Sequence, residues 1–438
     1  MRQVGRPASR IWIDYAVTYG ATFGLVITGM LAFRLASTGF GDLGLSEYAI
    51  SRRVIGFAQP TVALGLMVAL SRKIAASKFH PQGANQRAYM LAGLAIVLTA
   101  AAILAAVLVA FREQLAFTFF GSSQFGNLML AIIPLVIGWS LHLVCYANFH
   151  GNLQMCRASL LQLFNLGLVP LAAIVCAPTI SAALFWWGII VMLACSVVVL
   201  VEGLIAAEPP RRFLFAVRDL MRCGPPRVPG DLAIASLMVL PAIIAAHQGG
   251  VRLGGLVAFS MTLLTLAQTP IVPISSILLP RATELLHRGE TDVLRTQVLR
   301  LLAVSMTMTL GIVLMFFAFT EPLLRLCLGS VPDELPAIAR IVILGAVFFN
   351  WHTCLRSVAD AAHDRAINTR NSGFALIAFL VALPATNYVA GEAHSAAWAL
   401  LVALSCLAGA TSWHAWLVLR PSTTWTVDQP LAKYPKAA

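Results

Sequence analysis

Apolar runs alternate with short polar stretches along almost the whole chain. Each run is long enough to cross a bilayer, which takes about 20 helical residues. The runs fall at 11–38, 47–70, 88–111, 126–149, 158–177, 181–207, 231–248, 254–280, 299–320, 337–359, 372–391 and 394–419. The pattern predicts twelve transmembrane helices, and so an all-α polytopic membrane protein. The two closest pairs of runs must turn as tight hairpins, at "APT" (177–179) and "GEA" (391–393). Arg2, Arg6 and Arg10 precede the first run, as in a signal peptide. That run is too long, and no small-residue cleavage site follows it, so it is read as retained.

The outline of the chain repeats. Ala49 and Ser51 recur as Ala258 and Ser260, Ala58–Gln59 as Ala267–Gln268, and Arg72 as Arg281, all with one offset of 209. His150, Arg157 and Ser159 recur in the same spacing as His363, Arg370 and Ser372. Asp14 and Asp231 each stand at the start of the first span of a half, where an aspartate reads as a helix N-cap. Six spans per half is an even number, so both halves enter the membrane from the same side and the repeat is parallel. The chain is therefore divided into six-helix bundles at 1–207 and 231–419, a linker at 208–230 and a polar tail at 420–438, read as disordered. Within the linker, Phe213, Val217 and Leu220 share one helical face and Arg211, Arg218 and Arg222 another. This predicts a short helix lying on the anionic cytoplasmic leaflet.

Composition agrees. The chain is 59% hydrophobic and 11% charged, with a mean hydropathy of +0.84; soluble domains carry about 25% charged residues. A net charge of +12 would suggest nucleic acid in a soluble protein. Here its distribution points to the membrane instead. Basic residues follow the even-numbered runs: Arg72, Lys73, Lys78 and Arg87, then Arg157, then the five arginines of the linker. Arg281, Arg288, Arg295 and Arg300, then Arg356, Arg365 and Arg370, continue the series in the second half. The opposite loops hold only Arg112, Arg252 and Arg325, which places both termini in the cytoplasm.

Walker A, GxSxG and HExxH motifs are absent, and no long outer loop offers room for glycosyl transfer. The eight cysteines are scattered without a CxxC and read as small packing residues. Gly20 and Gly24 form a GxxxG, a sign of close helix contact. What remains are ionisable groups at membrane depth, which cost about 2.5–3.5 kcal/mol each on insertion scales and point to function. Arg34, Arg52 and Arg53 lie near the outer ends of the first and second spans, and Arg340 at the same level in the tenth. They either line a lumen, with Gln59 and Gln268, or snorkel to the outer interface. His352, Arg356, Asp360 and His363 share one face, and His142, Tyr146 and His150 repeat its spacing in the first half. That stripe is either a polar wall or a hydrated helix end held by an Arg356–Asp360 pair. No metal site is expected there, because eight helical residues separate His142 and His150 by about 12 Å. Asp14 and Asp360 are the candidates for ion coupling.

The twelve spans in two halves, "YAISRRVIGFAQPTVALGLMVALSRKIA" and "ILLPRATELL" together resemble the polysaccharide-biosynthesis flippases. These belong to the multidrug/oligosaccharidyl-lipid/polysaccharide exporter superfamily. The resemblance implies a V-shaped pair of bundles and no enzymatic activity or cofactor. It also implies movement of a polyprenyl-pyrophosphate-linked oligosaccharide from the inner to the outer leaflet of the cell inner membrane. Partners would be that lipid-linked oligosaccharide, membrane lipid, and a polysaccharide polymerase with its export machinery, with no nucleic acid. Three alternatives stay open: a multidrug-type exporter of a cationic drug, a membrane glycosyltransferase or ligase, and a non-transporting scaffold.

Overall fold

The computed structural model describes residues 8–77, 84–203, 210–271, 278, 282, 285, 286, 290–362 and 367–420. Arg281 and His363 of the repeat, and the tail beyond Arg420, lie outside these residues. Among the described residues all regular structure is helical. The first half contains α1 (Ala8–Ala63), α2 (Leu66–Ser77), α3 (Gln86–Ala110), α4 (Arg112–Phe120) and α5 (Gly126–Gly151). It continues with α6 (Met155–Leu163), a π-helical turn at Phe164–Leu168, α7 (Val169–Cys176) and α8 (Ile180–Gly203). The linker helix α9 (Pro210–Cys223) leads into α10 (Val228–Gln268). Then come α11 (Thr291–Ala318), α12 (Thr320–Leu328), α13 (Leu335–Ala362), α14 (Ile367–Ala390) and α15 (Glu392–Val418).

Among the described residues, ten stretches are long and apolar enough to cross a membrane, two of them 48 and 58 residues long. Each of these two covers two of the expected runs, so ten stretches carry the twelve passes. The long helices bend at glycine. Gly41 (φ 69°, ψ −166°) interrupts α1, and Gly250 (φ 78°, ψ 175°) interrupts α10. The two positions differ by the same 209 residues as the sequence repeat. A Cβ would meet nothing within 4 Å at either site, so the requirement for glycine is conformational rather than steric. Alanine at Gly41 or Gly250 is expected to cost about 1–3 kcal/mol, since positive φ with extended ψ is essentially open to glycine alone. Thermal unfolding of the purified variants checks this.

The second run departs from expectation. The stretch Gly56–Ser77 is not one helix, because Leu64 (φ 46°) and Gly65 (φ 67°) break it between α1 and α2. A Cβ on Gly65 would lie 2.5 Å from the Gly224 carbonyl, so the close approach of the linker's end sets this break. The linker helix is indeed docked. Asp219 accepts from Lys73 Nζ (2.7 Å) and from the Tyr89 hydroxyl (2.8 Å), while Ala216 and Leu220 are fully buried. The apolar line Phe213–Val217–Leu220 thus turns toward α2 and α3, and Leu214, Phe215 and Met221 are exposed beside the arginines.

The two hairpins form as expected. Thr179 Oγ1 accepts from Ala182 N (3.2 Å) at the start of α8, and Gly391 (φ 74°) turns α14 into α15. Neither aspartate is an N-cap, because α1 begins at Ala8 and α10 at Val228. The Gly20–Gly24 motif makes no close backbone contact: Gly24 faces the Leu163 side chain and Gly20 faces open space. Cys145, Cys195, Cys327 and Cys354 are buried with free thiols, as packing residues would be.

By packing, the chain forms two compact units, Met1–Ser260 with Glu321–Ile338, and Met261–Thr320 with Ala339–Ala438. In the first, α5 is the central helix, with 78% of its most apolar window buried. In the second, α13 takes that place at 61%, and Leu294, Val298 and Leu302 of α11 pack with Cys354, Leu355 and Val358 of α13. The fourth helix of each half is therefore the one most enclosed by its neighbours.

Candidate functional site

The candidate residues divide between the two units. Arg34, Arg52, Arg53 and Gln59 belong to the first, and Gln268, Arg340, His352, Arg356 and Asp360 to the second. Asp14 lies in the second turn of α1, and its side chain is outside the described residues.

The Gly41 kink folds α1 back on itself, so residues on either side of it meet. Arg52 reaches across to the rings of Phe33 (5.7 Å) and Tyr48 (5.8 Å). Phe33 in turn stands edge-on to Tyr48 (5.0 Å) and to Phe259 of α10 (5.2 Å). Such ring faces hold a guanidinium by cation–π attraction without neutralising it. Arg53 is half-buried, and its Nε donates to the Ala258 carbonyl (3.2 Å). Arg34, next to Phe33 in sequence, is exposed and donates from Nη1 to the Leu326 carbonyl of α12 (3.1 Å). Among the described residues, Arg34 and Arg52 are held by neutral groups rather than by a carboxylate.

A cluster of charges absent from the sequence reading lies at the kinks. Arg252, two residues after Gly250, meets Asp42 (3.5 Å), which directly follows Gly41, and Glu334 (3.2 Å), which precedes α13. All three side chains are about half-exposed, so each pair is worth only about 0.2–1 kcal/mol. Arg252→Ala is expected to shift the melting temperature little, in contrast to the glycine variants.

Gln59 and Gln268 occupy matching places in their halves. Gln59 lines a narrow cleft, with room for about 10 Å³, together with Val97 of α3 and Trp139, Ser140 and Leu143 of α5. Gln268 donates to Thr353 Oγ1 (3.3 Å) on α13. Both glutamines thus lie on the second span of a half and face its fourth, and Leu143 and Thr353 are separated by 210 residues. Arg340 is exposed and donates from Nε to Thr320 Oγ1 (3.0 Å).

The polar stripe on α13 splits. Arg356 and Asp360 are exposed and paired (3.4 Å), with Asn368 donating to Asp360 (2.6 Å). His352 is instead fully buried, with Nδ1 2.7 Å from Thr411 Oγ1 and its ring parallel to Phe349. Eight residues of helix turn the stripe by about 80°, enough to carry its first member into the core. On α5 the rings of His142, Tyr146 and His150 do stack in order, at 6.0 and 5.9 Å. Buried His142 meets Asn165 (3.0 Å), which the π-helical turn presents. In both halves, then, the buried histidine of the fourth helix is held from inside its own bundle.

No family model and no curated protein matches the sequence. Solved structures do. An inward-facing multidrug resistance MATE family transporter of the MOP superfamily aligns with a TM-score of 0.75 at 13% identity, covering 93% of this chain and 99% of that one. The eukaryotic MATE transporter AtDTX14 aligns at 0.69 and 12%, covering 94% and 96%. A MOP superfamily transporter from Pyrococcus furiosus, described as having a binding pocket of reverse polarity that suggests a different function, aligns at 0.63 and 13%, covering 92% and 95%. The chain has the MATE transporter fold. The expected all-α polytopic architecture is thereby established, and at these identities the likeness concerns the fold alone.

Proposed function

We propose that this protein is a transporter that moves a polyprenyl-pyrophosphate-linked oligosaccharide between leaflets by alternating access. The observation that carries the reading is the arginine group around the Gly41 kink, where Arg34 and Arg52 are held by a carbonyl and by ring faces. A cation held by neutral groups keeps its attraction for an incoming anion. The Arg53 contact to a backbone carbonyl is one that a phosphate oxygen can replace with a stronger, charge-assisted bond. A bare pyrophosphate in hydrocarbon would be prohibitive, and guanidinium groups at depth remove that cost. The fold does not fix the cargo, as the Pyrococcus relative of reversed pocket polarity illustrates.

One observation favours export of a cationic drug. Glu47 is half-buried on α1 and has no hydrogen-bond or ion partner among the described residues, the kind of group a cationic cargo requires. The described acids Asp42, Asp219, Glu202 and Asp360 all face a lysine or arginine. Deleting the gene separates the readings. Loss of surface glycan with accumulation of its lipid-linked precursor supports the flippase. Unchanged glycan with new sensitivity to cationic dyes supports the exporter.

A further inference from the structure

A polar groove at the basic end of the first bundle belongs to none of the groups above. It is lined by Asn85, Gln86, Arg87, Asn152, Gln154, Val201 and Glu202, and holds about 490 Å³ with one side open. Asn85 to Arg87 open α3, Asn152 and Gln154 form the turn after α5, and Val201 and Glu202 end α8. The lining polar side chains are all half-buried.

The groove is built rather than incidental. Asn148, fully buried beneath it, accepts from Gln86 Nε2 (3.2 Å) and from Asn152 Nδ2 (3.3 Å at Oδ1, 3.0 Å at its carbonyl). Its own Nδ2 is buried without a hydrogen-bond partner. On the other wall, Arg157 donates to both Gln154 Oε1 (3.4 Å) and Glu202 Oε1 (3.3 Å), tying α8 to the α5–α6 turn. Amide side chains offer donors and acceptors side by side, which is what hydroxyl groups need from a site, since each hydroxyl both gives and accepts. Glu202, its charge paired with Arg157 through Oε1, can accept from a hydroxyl through Oε2, and Arg87 of the same lining can donate to one. The seventh lining residue fixes the mode of entry. Val201 is exposed and continues the outward apolar face of α8 formed by Val197 and Leu200, so the groove borders the lipid-facing surface.

We propose that this groove receives the sugar portion of a membrane-tethered glycan, entering sideways while its hydrocarbon tail stays in the bilayer. The proposal rests on the transport reading above and adds to it a docking site for the neutral, hydroxyl-rich part of the cargo. That site stands apart from the arginines assigned to the pyrophosphate. By the charge asymmetry of the loops it is cytoplasmic, where a lipid-linked precursor would arrive.

Site-specific photo-crosslinking in living cells tests this with the cell's own precursor as the probe. A photoreactive residue is placed singly at Gln154, at Gln86, at Phe57 one turn beyond Arg53, and at lipid-facing Leu193. Size-exclusion profiles confirm that each variant folds. The expected result is a glycan-bearing mobility shift at Gln154 and Gln86 that disappears when precursor synthesis is blocked, with no such shift at Leu193. A shift at Phe57 but none in the groove overturns the docking site and leaves the transport reading standing. An equal shift at Leu193 also overturns it, since the glycan would then merely be passing in the membrane. No shift at any position removes both the docking site and the transport reading.

Discussion

Export of surface glycan by an Arg53→Ala strain is expected to fall by between about tenfold and a hundredfold. The range follows from a charge-assisted hydrogen bond worth about 1.5–3 kcal/mol, at about 1.4 kcal/mol per factor of ten. In the structure Arg53 spends Nε on the Ala258 carbonyl, a modest contact. Its removal should leave insertion intact, because losing a cation from membrane depth does not hinder it. Lysine at this position should restore export only in part, since it keeps the charge but loses the fork that matches two phosphate oxygens. The comparison must be made at matched protein levels. Full export by the alanine variant would leave Arg53 as a snorkelling anchor.

The second large effect is structural. Gly188 of α8 lies against the backbone of α5: a Cβ there would collide with Pro134 C and Leu135 N and come within 2.8 Å of Leu135 Cα. Gly138 of α5 is the reciprocal contact, its added Cβ falling 2.9 Å from the Gly188 carbonyl. Small residues let helix backbones pack this closely in a membrane. Backbone, unlike a side-chain tip, has no rotamer by which to yield. Gly188→Val is expected to destabilise the first bundle by about 3 kcal/mol or more, at or beyond the upper end of usual overpacking costs. Gly20→Ala should be silent, since nothing lies within 4 Å of that position. Fluorescence-detected size exclusion after a heat step reads both variants.

These glycines show where the sequence was legible and where it was not. The membrane class and the twelve passes follow from hydropathy, because a bilayer-crossing helix must satisfy its backbone internally and cover it with apolar side chains. The repeat was legible through Gln59 and Gln268, and the kink glycines Gly41 and Gly250 carry the same offset. The GxxxG at Gly20–Gly24 misled, because close approach depends on what the facing helix presents. At Gly188 the facing backbone made the contact, with no motif to announce it. The break at Leu64–Gly65 was hidden for a similar reason, being set by the docking of Gly224, far along the chain. Among the candidate residues, Arg52 and Arg53 were findable as cations in an apolar run. Their partners Phe33, Tyr48 and Ala258 were not, since only the kink and the return of α10 bring these together. The Asp42–Arg252–Glu334 cluster joins residues from three distant stretches, none unusual for a loop. The stripe on α13 read correctly for Arg356 and Asp360 and failed for His352, which the slow rotation of the helix carries into the core.

The central claim is that an anionic lipid-linked glycan is the cargo. Its most direct test is translocation by the purified protein in proteoliposomes loaded with a fluorescent polyprenyl-pyrophosphate oligosaccharide, scored by protection of the sugar from an added glycosidase. A parallel set of vesicles carries a cationic dye. The account predicts that wild-type protein moves the lipid-linked sugar across the bilayer, that Arg53→Ala protein moves it far more slowly, and that neither transports the dye. Transport of the dye, with the lipid-linked sugar left in its original leaflet, would contradict it.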